Sequence, residues 1–149
     1  MLKDNDKKML STYFSQKLVN PVKLVVFSQR KSPLATPAEH TCMYCAETEE
    51  LAREVASLSP KMSVEVLDFV ADKEKAAQYR IDKIPAIAVV GQKDYNIRYF
   101  GIPAGYEFTP LIESVVDVSR GATALPETSK QRLKSVDKDV HIQVFVTPT

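Results

Sequence analysis

The chain contains two cysteines, and they stand three positions apart in Cys42-Met43-Tyr44-Cys45. Paired cysteines at that spacing suit either metal ligation or the reversible passage of two electrons through a dithiol. A structural zinc site wants four ligands, and the chain adds only His40 and His141, which are remote from one another in sequence. An inert buried pair is the other bland alternative. Redox chemistry asks for less. Attack on a disulfide needs a thiolate, and a free cysteine with a pKa of about 8.5 offers little of it at neutral pH. A helix starting at the pair would present unpaired N–H groups and a partial positive charge to the anion. Lowering the pKa by about two units takes about 2.7 kcal/mol, and those effects supply much of it. On this reading Cys42 is the nucleophile. Cys45, one helical turn later, is the resolving thiol that attacks the mixed disulfide and releases the product. Glu47, Glu49 and Glu50 follow closely and oppose a deep shift.

Other residues could assist. Ile84-Pro85 opens an apolar run, where a proline without an N–H fits either a strand start or a cis turn. Paired with the CxxC, the cis form is expected, leaving the backbone of Ile84 open to an extended peptide that adds as a short strand. Tyr44 either shields the dithiol or packs at the helix end. His40, when protonated, would favour the Cys42 thiolate, and otherwise is a solvated loop residue. Gly101, Pro103 and Gly105 make a strand-to-helix turn. No acidic residue interrupts Val22 to Phe27, so a buried strand carboxylate to take the Cys45 proton has no candidate.

The elements that must position these groups are legible in the periodicity. Asn5 or Asp6 is expected to cap a first helix whose apolar face carries Met9, Leu10, Tyr13, Phe14 and Leu18. Val22 to Phe27 reads as a central strand covered on both faces. A long loop from Ser28 to Thr41 leads to the cysteines, and a helix with Leu51, Val55 and Leu58 on one face follows. Ser63 to Val70 is a second strand, and Asp72 caps a short helix to about Tyr79. Ala86 to Val90 and Asn96 to Phe100 form a hairpin around Gly91, and a last helix runs from about Glu107 to Ser119. Strands joined by a helix should be parallel with a right-handed crossover, and the closing hairpin antiparallel. The expected fold is therefore α/β, a thioredoxin fold with an extra N-terminal helix and a four-stranded mixed sheet, occupying residues 1–121.

Residues 122–149 carry a linker, helical character from Lys130 to Val136 and a strand-like run from Val140 to Val146. Shifted back by 118 residues, Val136 meets Leu18, Val140 meets Val22 and Phe145 meets Phe27. The segment is expected to be the opening helix and strand of a second copy. Val140, Ile142, Val144 and Val146 would share one unpartnered face, giving a homodimer or aggregation through that strand.

Twenty basic residues balance nineteen acidic ones, which leaves no electrostatic stripe for nucleic acid. The charged first twenty residues form neither a signal peptide nor a membrane span, so no membrane association and a cytoplasmic location are expected. Thiols there are kept reduced, which favours chemistry over stapling.

NPVKLVVF, CMYC, YRIDKIPA, RYFGIPAGYEF, VDVSR and the terminal VFVTPT together resemble the glutaredoxin-like protein disulfide oxidoreductases, over essentially the whole chain. That family holds two thioredoxin-fold units per chain, each with a CxxC. The resemblance implies a whole first unit, with Cys42 and Cys45 its dithiol and Pro85 its cis-proline, followed by a truncated second unit. It implies a protein thiol–disulfide oxidoreductase serving cell redox homeostasis, with no cofactor beyond the Cys42–Cys45 disulfide. Implied partners are protein disulfides or thiols and an upstream reductant, either a thioredoxin-reductase-like flavoprotein or glutathione. The second dithiol, to which much of the family's reductase activity belongs, is not in this sequence. The alternative is thus a non-catalytic module that positions substrates or partners for that second unit. A third is glutathione-dependent activity of the monothiol glutaredoxin kind. The loop from Ser28 to Thr41 is several residues longer than usual and would cover or restrict the site.

Overall fold

A computed structural model describes residues 2–29 and 42–145. The elements are α1 (Asp4–Lys17), β1 (Val22–Ser28), α2 (Cys45–Ser57), β2 (Met62–Asp68), α3 (Lys73–Gln78), β3 (Ala86–Val90), β4 (Asp94–Phe100), a 3-10 turn (Gly105–Glu107), α4 (Phe108–Arg120) and α5 (Glu127–Leu133). The strands form one sheet in the order β2-β1-β3-β4. β1 runs parallel to β2, while β3 is antiparallel to both β1 and β4. This is the four-stranded mixed sheet of a thioredoxin fold.

Side chains alternate across a strand, and β1 uses the alternation fully. Leu24 and Val26 join Phe14 of α1, Val55 of α2 and Leu111 and Val115 of α4 in one core layer. Val25 and Phe27 turn to the other face, against Ala76, Ile81 and Ala88. α1, α2 and α4 therefore cover one face and α3 the other, which explains why β1 and β3 read as near-continuous apolar runs.

Boundaries depart from the sequence reading where side chains bond locally. α1 starts at Asp4, with Lys3 at the cap and no side-chain cap bond, so neither Asn5 nor Asp6 caps it. Asp4 and Asp6 instead sit in the first turn, where carboxylates oppose the positive helix end equally well. β2 stops at Asp68, because its Oδ1 accepts the N–H groups of Val70 and Ala71 at 2.9 Å and turns the chain. Asp94 likewise takes the Asn96 N–H at 2.8 Å, and Asn96 has φ of 61°. The irregular register beside it brings β4 forward to Asp94. α4 ends at Gly121, whose φ of 63° is the left-handed conformation glycine adopts without strain.

The terminal strand is the main correction. α5 forms, three residues earlier than expected. Val140 to Phe145 has no strand pairing and is exposed, with Ile142 and Val144 each 78% accessible. β propensity needs a neighbour's ladder and a face to pack on, and no described strand supplies either to this segment. Val146 lies outside the described residues.

Candidate active site

α2 fixes where the cysteines stand. Its last residue, Ser57, is followed after a short turn by Met62, which pairs with Val22 at the start of β1. Its 13 residues climb about 20 Å at about 1.5 Å each, close to the length of a seven-residue strand rising about 3.3 Å per residue. The beginning of α2 thus lies at the end of the sheet where β1 and β2 finish. Ser28 pairs there with Asp68, and Phe27 with Ala86, the first residue of β3.

Cys42 and Cys45 form a disulfide with their Cα atoms 5.5 Å apart. Cys45 opens α2 and is 3% exposed, whereas Cys42 is half-buried. Tyr44 is the residue before the helix, and its carbonyl takes the Thr48 N–H at 3.0 Å. The hydroxyl of Thr48, fully buried, donates to the same carbonyl at 2.7 Å. Sequence reasoning passed over Thr48. The signal was present, since a threonine four residues after a loop residue can bond back to its carbonyl. Glu49 is engaged by Arg53 at 2.8 Å, and Glu47 and Glu50 are exposed.

The Ile84–Pro85 bond is cis. Pro85 is buried and immediately precedes the Ala86 that faces Phe27, so it stands at the same sheet end as the start of α2. Its carbonyl accepts the Gly101 N–H at 2.8 Å, which ties the β4–α4 loop beside it. Gly101, Pro103 and Gly105 make the turn into α4, which the 3-10 turn immediately precedes. Among the described residues none hydrogen-bonds the backbone of Ile84. Met43 and Tyr44 are 77% and 50% exposed, so apolar surface borders the disulfide.

The structure thus gathers Cys42, Cys45, Tyr44, Ile84 and Pro85 at one end of the sheet. His40 and most of the long loop, residues 30–41, lie outside the described residues, and His141 lies on the exposed segment after α5. Chemically, the arrangement offers one half-buried cysteine, one buried cysteine and a helix N-terminus at the pair. That asymmetry is what a two-step exchange requires.

No family model matches the sequence. A protein of Methanothermobacter thermautotrophicus described as "Probable Thioredoxin" is 35% identical over 78 residues, 52% of this chain and 84% of that one. An alkyl hydroperoxide reductase component of Staphylococcus aureus is 24% identical over 104 residues, 69% of this chain but 18% of its own length. Among solved structures, a protein disulfide oxidoreductase from Aeropyrum pernix superposes with a TM-score of 0.74 at 24% identity, covering 91% of this chain. This chain spans 56% of that protein's length. The NTD_N/C domain of alkylhydroperoxide reductase AhpF from Enterococcus faecalis gives 0.73 at 23% identity, covering 89% of this chain and 60% of that one. Both structures share the fold, and the sequence match to the Methanothermobacter protein, across most of its length, goes further: the chain belongs to the thioredoxin family and is a thiol–disulfide oxidoreductase.

Proposed function

We propose that the protein exchanges electrons with disulfides of other proteins, Cys42 being the nucleophile and Cys45 the resolving thiol. The carrying observation is the unequal burial of the two bonded cysteines at the start of α2. In the reduced protein the Cys42 thiolate attacks a substrate disulfide, forming a mixed disulfide and expelling one substrate thiolate. The Cys45 thiolate then attacks the Cys42 sulfur, closing the internal disulfide and expelling the second. Two electrons leave the protein and the substrate gains two thiols. Oxidation of a substrate dithiol runs the same steps in reverse.

Specificity for protein substrates is supported by the backbone of Ile84, which an extended segment can pair with as an added strand. Tyr44 would contact the same segment from the other side of the disulfide. The protein needs no cofactor for this cycle beyond its own disulfide, and an upstream thiol reductant restores the dithiol. A thioredoxin-reductase-like flavoprotein or glutathione meets that chemistry. Among the described residues no helix is long and apolar enough to cross a membrane. We place the protein in the cytoplasm, on the strength of its two cysteines serving chemistry. We also propose that residues 122–149 begin a second thioredoxin-like unit. The repeat places Ile142 and Val144 on Leu24 and Val26, which are buried in the first unit.

The test is catalysed reduction of insulin by dithiothreitol. Cys42→Ser should abolish it, and Cys45→Ser should accumulate a mixed disulfide with substrate. Unchanged turnover by Cys42→Ser would overturn the assignment. An inactive native protein with normal fold would favour the non-catalytic module.

A further inference from the structure

Between the two bonded sulfurs of the site stands a third, the thioether of Met43. Methionine sulfur is nucleophilic without deprotonation, so its reactivity toward peroxides follows exposure. Met43 is the most exposed of the described methionines; Met9 on α1 is also exposed, and Met62, the first residue of β2, is buried in the core. While Cys42 and Cys45 are joined, neither offers a thiolate, and the Met43 thioether becomes the free nucleophilic sulfur of the motif. Its flexible side chain adds to the exposed apolar surface that neighbouring Tyr44 presents beside the disulfide, and suits contact with varied partners.

We infer that Met43 is a peroxide-sensitive modification site whose oxidation weakens docking of protein substrates, an inference that rests on the thiol–disulfide reading of the same motif. The thioether attacks the distal oxygen of a hydroperoxide. An S–O bond forms, the O–O bond breaks, and the departing alkoxide or hydroxide takes the proton carried on the transferred oxygen, leaving as alcohol or water. Sulfur loses two electrons and the peroxide gains them. The product sulfoxide places a polar oxygen where an apolar contact stood. It leaves both cysteine sulfurs and the start of α2 unchanged, so small disulfides that need no docking surface should still react.

The experiment treats the oxidised protein with hydrogen peroxide, removes the excess with catalase, and maps oxygen addition by peptide mass spectrometry. Insulin reduction and reduction of a small aromatic disulfide are then compared before and after treatment. Expected are one added oxygen on Met43, none on Met62, and an about fivefold fall in kcat/KM for insulin, the scale of losing part of a buried methionine contact. The small disulfide should react as before. Met43→Leu should keep the same insulin activity after treatment as before it, although Met9 is still oxidised, and methionine sulfoxide reductase should restore the native protein. An unmodified Met43 would overturn the inference, as would equal loss in Met43→Leu or loss on both substrates alike. Absence of turnover in the untreated protein would remove the thiol–disulfide reading itself, and with it the docking effect, while the mass of the Met43 peptide decides the modification.

Discussion

Replacing Thr48 with valine removes one hydroxyl from beneath the CxxC turn and little else. Both residues are β-branched and of similar helix propensity, and the site is fully buried. The lost bond is the 2.7 Å donation to the Tyr44 carbonyl. That carbonyl keeps the Thr48 N–H at 3.0 Å, so no buried acceptor is orphaned and the loss should stay near the ordinary net value, about 1 kcal/mol. For a chain of this length that is a fall in Tm of about 2–4 °C. Redox state should divide the effect. In the oxidised protein the disulfide holds the turn that Tyr44 belongs to, whereas in the reduced protein the hydroxyl carries more of that task. An excess destabilisation of about 0.5 kcal/mol in the reduced form would make the couple more reducing by about 10 mV. Urea titrations of both redox states, with a glutathione redox titration, would read both quantities. A valine variant as stable as the parent in both states, with an unchanged potential, would refute the clamp.

Asp94 carries a pH signature. The hydrogen bond from Arg98, with help from the Asn96 N–H, holds its carboxyl below the usual range. Because the folded pKa is the lower one, the stabilisation is present above about pH 4 and is lost as pH falls through the folded value. Asp94→Asn should therefore cost about 1 kcal/mol at pH 7, after allowance for partial exposure, and progressively less below pH ~4 in urea titrations. Gly121→Ala should lose about 1 kcal/mol in the same assay, since φ is 63° and a Cβ would lie 3.0 Å from the Tyr95 hydroxyl. Gly91→Ala should lose more, because its Cβ would fall 2.7 Å from Val118 Cγ1 and 2.9 Å from the Val118 carbonyl oxygen. Ile142→Asp should change stability by less than about 0.5 kcal/mol, against about 2–5 kcal/mol for Leu24→Ala, its counterpart in the repeat.

How far the sequence revealed this molecule depends on where the decisive interaction lies. β1 and β3 are plain from their near-continuous apolar runs, because burial on both faces leaves little room for polar residues, exposed Lys23 near the start of β1 being the exception. α2 was plain from Leu51 and Val55, and the helix start at the cysteines followed from that pattern and the CxxC. The ends of β2 and β4 were not, because Asp68 and Asp94 stop or bend a strand with side-chain bonds that hydropathy does not register. The antiparallel placement of β3 against β1 is a long-range choice that no local period encodes. Val140 to Phe145 misleads for the opposite reason. Its alternation meets every local requirement of a strand, yet ladder formation depends on a neighbour. At the site, spacing alone identified Cys42 and Cys45. Their unequal exposure, and the buried hydroxyl of Thr48 behind Tyr44, emerge only when α2 is laid against the sheet.

The measurement closest to the central claim is competitive alkylation of the reduced protein with limiting iodoacetamide across pH, read by peptide mapping. Helix-end stabilisation and accessibility predict that Cys42 is labelled first, with a midpoint below the free-cysteine value of about 8.5, while Cys45 stays protected until the protein unfolds. Faster labelling of Cys45, or equal labelling of both at an unshifted midpoint, would contradict it.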